Sequence, residues 1–311
     1  MASERSAALV VNPNTGRRTA AAAGWAAAWL KQRGWSIRLA PTERPGHATV
    51  LARRAAGEGV GVIVACGGDG TLNEVVNGVV GTEAAVAMLP LGTTNVWSRC
   101  TGIPRDVAGA VRLLEEGVRK QVDVGLAGER YFLQMAGMGW DGEVVRRMGG
   151  ARKGRWGLAK YALIPVRTGW NLRPLAVDMR VDGEELRQRA LMAVWGNTPL
   201  YGNMFLLTPQ ARADDGLLDL CVFPGEGRRD LLRHLFNVLL HRHECSRGVA
   251  SRRAREVLLR VEGAAPFQVD GEYVGQAPER VAVVPRALTV LLPASPSRAC
   301  WPPGEPAVER G

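Results

Sequence analysis

Through the first third of the chain, short β-branched or apolar runs alternate with stretches of helical period. Residues 7–11, 36–40, 60–65 and 85–89 read as strands, each a compact apolar run bounded by polar or glycine-containing turns. Between them, 19–33, 46–56, 72–80 and 106–116 read as helices. Leu72, Val75, Val76 and Val79 fall at i, i+3, i+4 and i+7, as do Val107, Ala110, Val111 and Leu114. Strand and helix in alternation predict a parallel sheet wound with helices. After Asp123 the period shortens: 120–126, 131–138, 175–181, 187–195, 217–223, 256–261, 267–269 and 281–292 are strand-like, and many are separated by Gly, Asn or Asp turn signals. Helical inserts are expected at 154–170 and 228–240, the second with an apolar face of Leu231, Leu235, Val238 and Leu239. The fold class is α/β: a Rossmann-like domain at 1–122, then an antiparallel β-rich (β-sandwich) domain at 123–293. A strand near 285–293 is placed to pack back on the first domain, and the proline-rich 294–311 reads as a loose tail.

Composition narrows this picture only modestly. With 46% apolar and 23% charged residues over 311 positions, the chain is ordinary globular material, long enough for two cores without staples. Forty Lys and Arg against 30 Asp and Glu leave a formal +10, which favours an anionic partner: nucleotide, nucleic acid or acidic lipid. Cys66, Cys100, Cys221, Cys245 and Cys300 are scattered and never form a CxxC, so neither a disulfide framework nor a zinc site is expected. The first residues resemble neither a signal nor a transit peptide, and no run approaches the roughly 18 apolar residues of a membrane span. The expected location is therefore cytoplasmic, with any membrane contact peripheral.

Three loops carry candidate chemistry. In 62–74, VIVACGGDGTLNE, a buried-type strand runs through Gly67, Gly68, Asp69, Gly70 and Thr71 into a helix. Glycines at such a junction let backbone N–H groups approach an anion, which the helix N-terminus also favours. Asp69 beside an anion site suggests Mg²⁺ as the mediator. Read alone, the segment could equally be a glycine turn with a structural acid. Asn12, Pro13, Asn14, Thr15 and Gly16 follow the first strand, and Leu91 to Asn95 follow the fourth. Ligands of open α/β sheets bind outside the carboxyl ends of the strands, so these three loops converge on one ligand.

Together these segments resemble the diacylglycerol kinase catalytic-domain superfamily, in the bacterial lipid kinase branch related to sphingosine kinases. The resemblance runs in order through NPNTG at 12–16, GGDGTLNEVVNG at 67–78, LPLGTTN at 89–95, VDVG at 122–125, DDGLLD at 214–219 and VDGE at 269–272. It implies an enzyme that transfers the γ-phosphoryl group of ATP to a lipid hydroxyl, with the nucleotide between the two domains. By position, Asn12, Pro13, Asn14, Thr15, Gly16, Thr42, Gly68, Asp69, Gly70, Thr71, Leu72, Asn73, Glu74 and Thr93 correspond to ATP contacts. Asp215, with the carbonyls of Arg212 and Leu217, corresponds to a structural Mg²⁺ site in the second domain, and Asp69 and Asp123 resemble acids that link this region to the nucleotide-bound metal. Glu272 occupies the place of the general base, with Asp270 two residues before it.

VDGE also occurs at 181–184, so the tetrapeptide alone is not diagnostic; Glu184 reads as a solvated acid at a hairpin tip. Asp178 and Asp219 read as surface or strand-edge acids, and His241 and His243 as surface residues. Val96 stands where the family loop commonly carries an acid. From Val144 to Val177 there is no acid, yet Arg146, Arg147, Arg152, Lys153, Arg155, Lys160, Arg167 and Arg173 are interleaved with Trp156, Tyr161 and Trp170. This segment either docks the enzyme on an anionic bilayer or is a basic helix with core aromatics. Nucleic acid is not expected as a partner, for no recognised module accompanies the patch. A homodimer is compatible with the sequence. The rival functions are a soluble NAD or polyol kinase and a nucleotide-regulated lipid-binding protein without catalysis.

Overall fold

The structure is a computed structural model, and it describes residues 3–16, 18–149, 164–165, 167–169, 173–202, 205–295 and 297. The chain divides into two compact units: unit 1 holds Met1–Val122 and Arg286–Gly311, and unit 2 holds Asp123–Pro285.

Unit 1 contains β1 (Ser3–Val11), α1 (Thr19–Lys31), β2 (Ser36–Pro41), α2 (His47–Gly57), β3 (Val60–Gly67), α3 (Asp69–Val79), β4 (Ala85–Pro90), α4 (Val96–Thr101) and α5 (Val107–Glu116). β5 (Val118–Ala127) leads out of it, and the far half of β17 (Arg280–Leu292) returns to it. Its strands lie in the order β2-β1-β3-β4-β17, and every pairing is parallel. Ala7 to Val11, Val62 to Cys66 and Ala85 to Leu89 are buried, because helices cover both faces of such a sheet. The long apolar runs of the sequence follow from that burial. The chain steps outward from β1 to β2, then back past β1 to β3, so right-handed crossovers send α1 and α2 to opposite faces. A crevice is left at the carboxyl ends of β1 and β3, the point where the winding reverses.

Unit 2 is antiparallel. Its strands are β6 (Arg130–Phe132), β7 (Met135–Gly139), β8 (Leu175–Val181), β9 (Glu184–Gly196), β10 (Leu200–Tyr201), β11 (Phe205–Leu206), β12 (Leu218–Pro224), β13 (Ala250–Ala254), β14 (Glu256–Glu262), β15 (Pro266–Val269) and β16 (Glu272–Gln276). Two helices, α6 (Trp140–Gly149) and α7 (Arg228–Leu239), interrupt them. The long β9 organises the unit: its first half pairs with β8, and its second half lies between β7 and β12. Along β8, Leu175, Val177, Met179 and Val181 are buried while the residues between them are exposed, the period-2 pattern of a strand with one solvated face. Trp195 and Phe267 meet at 5.9 Å in the core.

Several expectations change. The segment 131–138 is two strands, broken where Leu133 and Gln134 turn their N–H groups to Asp270. His243 is buried, stacked on Phe223 with its Nε2 3.0 Å from the Leu207 carbonyl oxygen, and is not a surface residue. Asp219 is also buried, on a strand paired on both sides, and is neither a surface nor an edge acid. Cys100 is disulfide-bonded, contrary to the reading of the scattered cysteines, since spacing along a chain does not report proximity in space. Most of the expected helix at 154–170 lies outside the described residues, as does nearly all of the tail. Among the described residues no helix is long and apolar enough to cross a membrane.

Candidate functional site

The three glycine and small-polar loops of unit 1 meet at the winding reversal. Asn12, directly after β1, caps the 3₁₀ turn Pro13–Thr15 by accepting from Asn14 N–H at 3.0 Å. Its Nδ2 reaches across to Thr71 Oγ1 at 3.1 Å, and its own N–H donates to the Cys66 carbonyl at 3.1 Å. The ends of β1 and β3 are thus tied together on either side of the crevice. Thr42, after β2, is fixed by its N–H on the Val11 carbonyl at 2.8 Å. The loop after β4 approaches from the other side: a Cβ added to Gly92 would lie 2.5 Å from Gly68 Cα. Only glycine permits these two backbones to come so close, leaving Gly68, Asp69 and Gly70 half-exposed at the start of α3. Pro13, Asn14, Gly16 and Thr93 are exposed around them, and Thr15 is half-buried.

Asp69 has a structural role that its sequence context did not reveal. Its carboxylate accepts from the N–H groups of Val96 at 3.0 Å and Trp97 at 3.2 Å, which are the opening donors of α4. It also begins α3. One acid therefore serves two helix N-termini, each of which favours negative charge. Asn95, at a left-handed φ of 48°, closes the intervening loop by accepting from Gly92 N–H and donating to the Pro90 and Gly92 carbonyls. Three of the expected contacts are otherwise engaged. Leu72 and Asn73 are buried because helical period turns them inward, and Glu74 accepts from the N–H groups of Gly46 and Ala48 at the start of α2. What these loops leave half-exposed is accordingly the backbone of Gly68, Asp69 and Gly70, with Asn12 and Thr71 joined beside it.

Unit 2 gathers a second set. Asp123 is buried, accepts from Gly216 N–H at 2.6 Å and donates its own N–H to the Ala213 carbonyl at 2.7 Å. It lies in the field of Asp215, whose carboxyl is pushed up first by burial and further by the Asp123 charge. Asp215 accepts from Leu217 N–H at 3.1 Å and is paired with Arg253. Burial pushes Asp219 up to about 7, and its Oδ2 has no hydrogen-bond partner. Arg253 already meets part of this charge, paired with Asp215 and with its Nε 3.7 Å from Asp219 Oδ2, and a metal cation would add to that relief. Asp215, Asp123 and the carbonyls of Arg212 and Leu217 supply hard oxygen donors of the kind Mg²⁺ takes, so the residues fit that ion. Among the described residues no group of three or more His, Cys, Asp or Glu side chains stands ready to hold a metal. Backbone carbonyls and water would have to complete the shell.

The two VDGE segments are both hairpin turns. Asp270 and Gly271 have φ of 47° and 81°, and Asp182 and Gly183 have 46° and 96°, the positive pair of a type I′ turn. Asp270 and Glu272 therefore do not share one regular strand face. The Asp270 carboxylate accepts from Leu133, Gln134 and Met135 N–H at 2.8, 2.9 and 2.9 Å. Glu272 is paired with Arg130 at 2.6 Å, whereas Glu184 is exposed. A hydrogen-bonded chain supports the turn at 270–271: Tyr201 donates to Asp141, Gln268 Nε2 donates to Asp141 at 2.8 Å, and Gln268 Oε1 accepts from Gly271 N–H at 2.8 Å. Burial pushes the Asp141 carboxyl up, and Tyr201 rises with it. Arg130, Asp141, Gln268 and Arg253 carry no motif of their own. Only the apolar setting of Asp141 and Gln268 hinted at partnered burial.

Of the basic segment at 144–177, Arg146 and Arg147 are both paired with Glu143, which stands just before it, and Arg167 and Arg173 are exposed. Arg152, Lys153, Arg155, Trp156, Lys160, Tyr161 and Trp170 lie outside the described residues.

Residues 6–127 match the diacylglycerol kinase catalytic domain, and residues 134–292 match the YegS C-terminal NAD kinase beta sandwich-like domain. The diacylglycerol kinase of Bacillus subtilis (strain 168) is 29% identical over 267 residues, 85% of this chain and 88% of that protein. That of Staphylococcus aureus (strain JH9) is 30% identical over 270 residues, 85% of this chain and 84% of that one. In fold, a crystal structure of a Bacillus anthracis str. Sterne protein described as a diacylglycerol kinase superposes with a TM-score of 0.80 at 24% identity, covering 93% of this chain and 96% of that one. Fold and matches define the class, a two-unit kinase of the lipid-kinase kind. The chain belongs to the diacylglycerol kinase family.

Proposed function

We propose that the protein transfers the γ-phosphoryl group of ATP, with Mg²⁺, to a hydroxyl of a diacylglycerol-like lipid. The observation that carries this reading is the Asn12–Thr71 tie beside the close approach of Gly68 and Gly92, because it sets the half-exposed backbone of Gly68, Asp69 and Gly70 at a helix N-terminus, which favours an anion. Phosphoryl transfer depends chiefly on positioning and on neutralising phosphate charge, which such a surface supplies. Mg²⁺ carried with the nucleotide would offset charge on the phosphate oxygens, while Asp215 with the carbonyls of Arg212 and Leu217 would hold a separate, structural Mg²⁺ that Asp69 and Asp123 link to it. In the step, the acceptor oxygen bonds to the γ-phosphorus, the bond from that phosphorus to the ADP oxygen breaks, and the acceptor proton passes to the Glu272 carboxylate. Arg130 and the Asp141–Gln268 chain hold that carboxylate and its turn in place. The names of the B. subtilis and S. aureus relatives support diacylglycerol as the acceptor class.

The test is a panel of acceptors with labelled ATP: dispersed diacylglycerol, other hydroxyl lipids, NAD and soluble polyols, scored by product mass. Phosphate on diacylglycerol-like lipid is expected. Phosphate on soluble acceptors alone, or nucleotide binding without turnover on any lipid, overturns the reading.

A further inference from the structure

Helix α7 keeps two apolar faces where its fold needs one. Leu231, His234 and Val238 are buried, and Leu231 and Val238 pack into a core with Phe223, Leu191 and Leu207. The side of the helix away from that core carries Leu232, Phe236, Leu239 and Leu240, exposed by 63, 60, 57 and 46%. These fall at i, i+4, i+7 and i+8 and so form one continuous strip. The sequence placed Leu239 on the packed face, but the structure turns it outward with the other three.

The same arc carries Arg228, Arg229 and Arg233, all exposed, and Arg242 and Arg247 are exposed just beyond the helix. Asp230 is the acid of the helix, and it lies off the arc, paired with Arg233 at 3.0 Å. Glu226, before the helix, pairs with Arg189. A strip of four large apolar side chains set among arginines and without an intervening acid has the chemistry of a helix lying in a lipid interface. A second copy of the chain is a poorer occupant, because a two-fold contact over this strip would bring like guanidinium groups together.

We propose that the outer face of α7 docks the protein on an anionic lipid bilayer, with Leu232, Phe236, Leu239 and Leu240 entering the acyl boundary and the arginines meeting the headgroups. The inference deepens the lipid-kinase reading and rests on it for the choice of lipid as partner.

The test uses the full chain with vesicles of equal parts phosphatidylglycerol and phosphatidylcholine, and with phosphatidylcholine alone. Flotation of the wild type is expected with the anionic vesicles and should fade with salt. Leu232→Ser with Phe236→Ser should lower the bound fraction about ten-fold or more, since two large side chains lose their burial. Arg228→Gln, Arg229→Gln and Arg233→Gln together should erase the preference for anionic vesicles, because each basic residue contributes to attraction at the surface. Hydrogen exchange on the wild type, which needs no variant, should show amides of 228–240 slowing when anionic vesicles are added.

Variants that float like the wild type, or exchange at 228–240 indifferent to vesicles, overturn the proposal. So does a vesicle-free dimer that Leu232→Ser with Phe236→Ser dissociates, which would give the strip to a second copy. A short-chain acceptor below its aggregation concentration separates the two readings. Its rate should be unchanged in the α7 variants, while loss of all lipid phosphorylation in the wild type would count against the kinase reading and leave the flotation result to judge the docking.

Discussion

Asp182 and Asp270 perform the same structural task in two copies of one tetrapeptide. Each begins a type I′ turn at positive φ, and each carboxylate reaches to backbone N–H groups of a neighbouring segment: Arg255 and Glu256 for Asp182, and Leu133, Gln134 and Met135 for Asp270. The turns differ in the glutamate that leaves them, exposed at Glu184 in one and held by Arg130 at Glu272 in the other.

Replacing Asp270 by alanine should therefore destabilise unit 2 by about 1–3 kcal/mol, since it strips the part-buried donors of Leu133, Gln134 and Met135 of their partner, and Asp182→Ala should cost less, since its exposed donors can turn to water. Urea unfolding should show both losses. Activity measured well below the unfolding transition should fall only for Asp270→Ala, because only that turn carries the proposed base. Equal losses of activity would remove the distinction between the turns.

Glu272→Gln should reduce kcat by about 10²-fold or more while leaving the KM for ATP nearly unchanged, the range a general base commonly supplies. Glu184→Gln should be silent in the same assay. Gln268→Leu, which cuts the link from Asp141 to the turn, should lower kcat with a smaller effect, and restoring a donor and acceptor with Gln268→Asn should recover part of it. A kcat unmoved by Gln268→Leu would mean that the hydrogen-bonded chain serves only packing.

Gly92→Ala places a methyl 2.5 Å from Gly68 Cα and 2.8 Å from Asn95 Oδ1. The loops must separate to admit it, so calorimetry with a non-hydrolysable ATP analogue should show binding weakened by about ten-fold or more, as expected when a preorganised anion site is spread. Unchanged affinity would place the nucleotide elsewhere.

Asp219 provides a pH test. Burial raises its folded-state carboxyl to about 7 from the ordinary 3.8, so the folded protein binds more protons than the unfolded chain between those values. Its contribution is then full at acidic pH and is lost as pH rises from about 4 to about 7. In buffer with chelator, the difference in Tm between Asp219→Asn and the wild type should grow in favour of the variant across that window. A difference that stays flat would show that Arg253 keeps Asp219 ionised throughout.

Unit 1 was legible from the linear pattern for a physical reason. Strands buried on both faces must be apolar throughout, helices on a sheet must show a 3.6-residue period, and a backbone that approaches an anion must be glycine. Each requirement leaves its mark within a dozen residues, so the loops at 12–16, 67–71 and 91–95 could be found and grouped. At Leu72, Asn73 and Glu74 the motif names positions, but only the helix phase decides that the first two side chains turn inward and that Glu74 reaches α2. In unit 2, burial of Asp219 and His243 comes from strands and helices distant in sequence, and neither residue type announces it.

The amino-acid sequence by itself determined the order of elements, the parallel character of the first unit, the glycine-bearing loops and the family to which the chain belongs, because these depend on local period and on residue types at fixed spacing. The tertiary structure alone decided that Asp69 serves two helix starts, that two identical tetrapeptides place their glutamates in different company, and that α7 turns four large apolar side chains outward. Those outcomes depend on which surfaces are already filled by remote parts of the chain, and contact between remote segments is settled by packing rather than by sequence distance.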